Sequence, residues 1–576
     1  MKFFHVYNER SFEGLVKNNL INEDSGFKIQ HAFSVPEELK FNRFAAKGGR
    51  LYALIKEGGY PFYVDRIAGG ITYHEYPFDT KLLDAYATLL GKNFLGVQLH
   101  ESASNRRHDW MLIRERMNGE CGPYDEATLY ERSWRESAVM PDGTMLQGFS
   151  QGTAALYSKM RYAETPEDFH REIEDMFLMW MQKTGGYALP CDSFFLYTHM
   201  QDRLGMRTFM PEVGCQIPQM RIEVALARGI ARAAGKPWGT YYETWIGNLE
   251  EGYSMPCFNR DLSNEWYLTQ ETHEDDFTRM GENGGSSRRL QKRIYYHALL
   301  SGADYFSEEW GLNCSYSDMN TFSLSPYGIA KKEFIEQSRR MRGMRALTPF
   351  AIVLPTGYEA IELPDVYDVQ VIGEHRDRYL HCLLDQAKRA DYGHIEDVLK
   401  LIYARSEKIY GNESHVLTNS RFGDLFDIVY DDAPDAALSK YEYLIDTTQN
   451  GSIAKKLGSR HRVLESGDLS ALEHRLHTLE KELMPCTVDS LHWLVSVDEQ
   501  GKRYLGIFNN EGNERSVRHG DVIRREADAT VTVRLKDPSQ ISVRITTAPS
   551  LEIIKKDDRT YQIRLPATEL AVLELS

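Results

Sequence analysis

From the N-terminus to about residue 347 the chain alternates short apolar runs with amphipathic helical stretches. That alternation constrains the fold more than any other feature. Eight runs have the composition of strands: 26–34 (GFKIQHAFS), 61–70 (PFYVDRIAGG), 93–102 (NFLGVQLHES), a weaker 144–150 (TMLQGFS), 187–195 (YALPCDSFF), 207–214 (RTFMPEVG), 237–245 (PWGTYYETW) and 303–311 (ADYFSEEWG). Eight parallel strands are what a closed (β/α)8 TIM barrel needs. The helices between them carry apolar stripes at three- and four-residue spacing. Ile217, Met220, Val224, Ala227, Ala231 and Ala234 form one stripe, stopped by Gly235. Leu290, Ile294, His297, Ala298 and Ser301 form another, stopped by Gly302.

At 576 residues the chain is too long for one hydrophobic core, and its pattern changes twice more. Between 348 and 490, apolar strands (PFAIVLP, FDIVYDD, YEYLIDTT) alternate with helices such as ALEHRLHTLEKELM, the signature of a smaller open α/β domain. From 491 to 576 period-two alternation with frequent turn residues predicts a small C-terminal β-sandwich. The expected division is therefore 1–347, 348–490 and 491–576.

Composition narrows the partners. A formal net charge of −16 argues against nucleic acid or an anionic membrane as the main partner. No apolar run approaches the length of a membrane span. The first residues, MKFFHVYNERSFEG, lack an apolar core and a small-residue cleavage site, and the seven scattered cysteines contain no C-x-x-C. Both features lead to the expectation of a cytoplasmic protein with reduced thiols. No cofactor or metal motif is found: there is no H-x-H on the first strand, G-x-G-x-x-G, P-loop or G-x-S-x-G. Cys191 and Cys215 have no histidine placed to activate them and read as buried small hydrophobes.

Barrel enzymes carry their chemistry at the C-terminal ends of the strands. Four of the candidate strands finish with glutamates: Glu101 (LHES), Glu212 (MPEVG), Glu243 (YYETW) and the pair Glu308–Glu309 (SEEWG). Asp192 ends a fifth. One such acid is as well explained by a salt bridge or a helix cap, but several at one rim call for a shared purpose. Glycoside hydrolysis is the chemistry that most needs facing carboxylates, one protonating the leaving oxygen and the other attacking the anomeric carbon or activating water. Glu101, Glu212, Glu243 and Glu309 are the catalytic candidates. Trp245, Trp310, Tyr242, Asp192, His100 and Glu308 are candidates for holding a sugar, the tryptophans equally open to ordinary core packing.

The run GKPWGTYYETW, followed after a long loop by RLQKRIYYHALLSGADYFSEEWG, resembles the last two barrel strands of clan A glycoside hydrolases. It is most similar to family 42 β-galactosidases and the three-domain family 164 β-mannosidases. SPYGIAKKEFIEQSRRM and PFAIVLP resemble the passage into the flavodoxin-like trimerisation domain of family 42. The resemblance implies a retaining, exo-acting hydrolase of a β-linked sugar, a homotrimer, no cofactor, and Glu243 as nucleophile. It offers Glu101 as acid/base, with two departures. His100 stands where the clan has Asn, and the count above puts Glu101 on the third strand where the clan uses the fourth. Glu212 is therefore a rival. A non-catalytic carbohydrate-binding barrel, and an inverting hydrolase or lyase, are the alternatives.

Overall fold

The computed structural model describes the chain except for residues 8, 30–49, 69–79, 101–102, 104–165, 193–194, 216–219, 249–251, 257–278, 281–283, 310–313, 319, 361–385, 404–411, 449, 459–461 and 517–519. Its largest sheet has eight parallel strands: β1 (Lys2–Tyr7), β2 (Ser25–Ile29), β3 (Phe62–Ala68), β4 (Phe94–His100), β5 (Ala188–Cys191), β6 (Glu212–Val213), β7 (Gly239–Tyr242) and β8 (Tyr305–Glu308). The order is β5-β4-β3-β2-β1-β8-β7-β6. The two ends meet where the Glu212 amide donates to the Asp192 carbonyl at 3.1 Å, so the sheet closes as a (β/α)8 barrel.

The strand set differs from the expected one at its start. KFFHVY forms β1, pairing with β2 over five residues and with β8 at Lys2–Tyr305 and Phe3–Phe306. Its near-continuous apolar run is what a strand covered on both faces requires, and no alternation marks it. The candidate 144–150 lies outside the described residues, and the eight-stranded sheet is complete without it. The segment 93–102 is consequently the fourth strand, not the third.

Among the described residues eight helices accompany the strands: α1 (Glu9–Lys17), α2 (Arg50–Gly58), α3 (Thr80–Leu90), α4 (Pro166–Lys183), α5 (Thr198–Arg203), α6 (Met220–Ala234), α7 (Arg288–Ser301) and α8 (Pro326–Ser338). Ser287 caps α7 by accepting from the Leu290 amide, and Gly302 ends it at φ 82°. Gly235, at φ 67°, follows α6. Inside the barrel Phe4, Tyr63, Leu95, Leu189 and Met210 pack as one cluster with Tyr305 against it. Above that layer two polar pairs cross the lumen: Tyr63 to Ser307 at 2.6 Å and Lys28 Nζ to the Tyr241 hydroxyl at 2.9 Å.

A second sheet, also parallel, contains β9 (Phe350–Leu354), β10 (Phe426–Tyr430), β11 (Tyr443–Asp446) and β12 (Arg462–Glu465) in the order β10-β9-β11-β12. This is the flavodoxin-like order, and helices α9 (Gln386–Tyr403) and α10 (Leu469–Leu483) accompany it. Two larger antiparallel sheets follow, and a two-stranded antiparallel ribbon pairs Asn513–Ser516 with Gly520–Ile523. One sheet has four strands, beginning at Cys486–Val488. The other has five, with Arg345–Ala346 from the end of the barrel segment at its edge.

Helix α6 lies flat on β10. Its Arg228 reaches Asp427 Oδ1 at 2.5 Å, and Arg232 reaches Oδ2 of the same carboxylate at 2.6 Å. Burial works to raise the Asp427 pKa, but Arg232 and Arg228 outweigh it and hold the group below the usual carboxylate range. No described helix is long and apolar enough to cross a membrane.

Candidate active site

The cross-lumen pairs define which side chains face inward. Ser307 and Tyr241 point into the barrel, so strand periodicity turns Glu309 and Glu243 inward one step nearer the C-terminal rim. The ladder continues past the regular strands. The Glu243 amide donates to the Val213 carbonyl at 2.8 Å, and the Glu309 amide to the Tyr242 carbonyl at 2.9 Å. Glu212 is in register with Tyr241, one layer deeper on the same face. The structure thus brings Glu212, Glu243 and Glu309 to three consecutive strands, β6, β7 and β8, and all three are buried.

Glu309 is oriented by Trp245, whose indole N–H donates to Oε2 at 2.8 Å. Trp245 is partly exposed and supplies an apolar face beside the acids. Lys28 sits beneath them, donating to the carbonyls of Glu308 at 3.1 Å and Glu309 at 3.2 Å as well as to Tyr241. Gly214 is required beside Glu243. A Cβ there would fall 2.6 Å from Glu243 Cγ and 2.8 Å from its Oε1.

The same periodicity turns Glu308 and Tyr242 outward. The sequence reading placed both at the mouth, but their contacts lie in the wall. Glu308 accepts from Tyr327 at 2.6 Å, also accepts from Tyr295, and pairs with Lys331, all on α7 and α8. Tyr242 packs edge-on to Tyr295 and bonds Ser286 through its hydroxyl. Asp192, buried just beyond the end of β5, accepts from the Ala103 amide through Oδ2 at 2.8 Å. His100 ends β4 opposite Cys191. Glu101 and Trp310 lie outside the described residues. Glu101 directly follows the fourth strand, so the mismatch of strand count noted above is removed.

Sequence reading missed Glu223, on the first turn of α6. It is buried, and its Oε2 has no hydrogen-bond partner among the described residues. Burial first, and Glu243 second, push its carboxyl well above the usual range. Burial likewise pushes the Cys215 thiol well up, with Glu413 and Glu243 adding to the effect.

The described residues that could offer three metal ligands are His297, Asp424 and His492. Their geometry is that of a hydrogen-bonded knot. Both imidazoles reach Asp424 Oδ2, at 2.8 and 2.6 Å, while Arg221 occupies Oδ1 at 2.7 Å. Burial lowers the pKa of both histidines, His492 to about 3, so neutral rings donate to the carboxylate. Arg221 already balances the charge, and a cation would compete with it. The knot joins α7, the second sheet and the C-terminal strands, away from the barrel mouth.

No family model and no curated protein matches the chain. Among solved structures it is similar to alpha-L-fucosidase isoenzyme 2 from Paenibacillus thiaminolyticus, with 10% identity over 100% of this chain and 99% of that one and a TM-score of 0.42. It is similar also to GH5_18 from Streptomyces cattleya, solved in complex with GlcNAc, at 10% identity over 81% and 99% and a TM-score of 0.33. Likenesses this distant carry no inference about chemistry; the barrel assignment rests on the strand pairing.

Proposed function

We propose that the protein is a glycoside hydrolase, retaining and exo-acting on a β-linked sugar, with its chemistry at the C-terminal rim of the barrel. The observation that carries this reading is the placement of Glu243 and Glu309 on one inward face at adjacent strand ends. Glu212 lies one layer below, and Trp245 fixes Glu309. Hydrolysis with retention needs one carboxyl group as nucleophile and a second as acid/base within reach of the same glycosidic bond.

In this reading Glu243 attacks the anomeric carbon. Glu101, the residue after β4, gives its proton to the departing oxygen as the glycosidic bond breaks. Glu101 then takes a proton from water, whose oxygen displaces Glu243 and restores both carboxyl groups. Glu309 accepts from a sugar hydroxyl, and Trp245 floors the ring. Glu212 is the other candidate for acid/base. The sugar, a β-galactoside or β-mannoside, and a homotrimeric assembly rest on the family resemblance.

An aryl-glycoside screen combined with a mechanism-based fluorosugar tests the assignment. The label should appear on Glu243. Glu243→Gln should lower kcat by about 10³-fold or more, the loss of a covalent nucleophile, with the fold intact by circular dichroism. Hydrolysis that survives Gln at Glu101, Glu212, Glu243 and Glu309 in turn would defeat the proposal.

A further inference from the structure

The tripeptide Gly285–Ser287 closes the long connection from β7 to α7, and it is stitched to both flanks of Glu243. On one side the Ser286 hydroxyl bonds that of Tyr242. On the other the Ser286 amide donates to the Thr244 carbonyl at 3.0 Å. Gly285 presses so closely that a Cβ would lie 2.3 Å from the Thr244 carbonyl oxygen, and its φ of 70° suits glycine alone. These three residues are the strap that fixes the backbone around the candidate nucleophile.

The strap is in turn gripped from outside the barrel. Glu413, which precedes β10 in the second unit, accepts from the Ser287 amide through Oε1 and from the Ser287 hydroxyl through Oε2, both at 2.6 Å. From the C-terminal unit Asn513 donates to the same Oε2 at 2.9 Å, and Arg515 Nε donates to the Gly285 carbonyl at 2.6 Å. Asp521 completes the grip, accepting from Asn513 at 3.1 Å and Arg515 at 2.5 Å. Ser286, Ser287, Glu413, Asn513 and Arg515 are all buried. Charge-assisted bonds to backbone groups in such surroundings are short, directional and costly to break.

We infer that Glu413 and Arg515 are positioning residues for Glu243, acting through Gly285–Ser287, so that the two accessory units complete the active face of the barrel. The catalytic consequence rests on the function proposed above, but the mechanical one does not. A barrel whose seventh connection was held only by its own residues would leave the strap free to lift from Tyr242 and Thr244. With the clamp, the candidate nucleophile is fixed by residues from all three parts of the chain.

The test uses the full-length protein carrying Glu413→Gln or Arg515→Lys, each checked for wild-type circular dichroism. Asn513→Ser is the milder variant should either fail to fold. Residue-resolved hydrogen exchange should show the Ser286 and Glu243 amides opening ten-fold or more faster, with β1 to β3 unchanged. On an active substrate kcat should fall ten-fold or more at little-changed KM, and the acid limb of the kcat profile should move. Unchanged exchange at Glu243 overturns the inference whatever the activity. Faster exchange with wild-type kcat and pH profile also overturns it, leaving a clamp that does not position. If the wild type cleaves no glycoside, the proposed function fails and exchange at Glu243 alone decides the inference.

Discussion

Replacing Gly229 by alanine sets two physical effects against each other at the seam between barrel and second sheet. On an open helix surface Gly→Ala stabilises by about 0.5–1 kcal/mol, because alanine loses less backbone entropy on folding. At Gly229, in the middle of α6, the added Cβ would stand 2.1 Å from the Ile428 carbonyl oxygen and 2.9 Å from its carbon. Restoring ordinary contact requires α6 and β10 to part by roughly 1 Å. Neither backbone is free to yield, since Asp427 of β10 grips both Arg228 and Arg232 of α6. Overpacking of this kind costs about 1–3 kcal/mol or more, so the steric effect should win and, after the propensity gain, leave a net loss of about 1–2 kcal/mol.

Gly393, inside α9, is the control: a Cβ there meets nothing within 4 Å, so Gly393→Ala should gain the propensity term of about 0.5–1 kcal/mol. Urea unfolding followed by circular dichroism, at constant m, reads both variants. Gly229→Ala as stable as wild type, or both variants moving in the same direction, would refute the close helix–sheet approach.

Lys331→Met should cost about 3–5 kcal/mol, because it strands the Glu308 carboxylate in the barrel wall. The double variant with Glu308→Leu should recover most of it in a double-mutant cycle. Glu480, buried on α10, has its pKa raised from 4.5 to about 7 by burial. The folded state therefore binds the proton more tightly, and stability falls as pH rises from 4.5 through 7. Glu480→Gln should gain up to about 3 kcal/mol above pH 7 and nothing below 4.5, measured by urea unfolding at several pH values.

His199 is shifted in the same direction, by hydrogen bonding against the effect of burial. Burial lowers its pKa, but bonds to Asp432 and Glu359 outweigh this and raise it to about 9. Its contribution is fully present below pH 6.5 and lost as pH rises through 9. Discounting for half-exposed Asp432, it is on the order of 2 kcal/mol. His199→Gln should flatten that alkaline fall in Tm.

Much of the barrel was legible because its cause is local. Seven of its strands and the stripes on α6 and α7 follow from which residues shun water at which spacing. The acid-tipped runs MPEVG, YYETW and SEEWG likewise announce the strand ends that carry Glu212, Glu243 and Glu309. KFFHVY was not legible as β1, since a strand buried on both faces shows no alternation, and losing it shifted the count that placed Glu101.

Which acid faces the lumen was beyond local reading. Glu308 and Glu309 are chemically identical neighbours, and only the register set by Tyr63–Ser307 and Lys28–Tyr241 turns one to α7 and α8 and the other to the mouth. Glu413 and Arg515 lie far along the chain from Glu243 and carry no motif. The sequence by itself determined the kinds of element and the stock of carboxylates, because hydrophobic periodicity acts over a few residues. The tertiary structure alone decided which carboxylates meet and what clamps them, because register and interdomain hydrogen bonds exist only between residues that folding brings together.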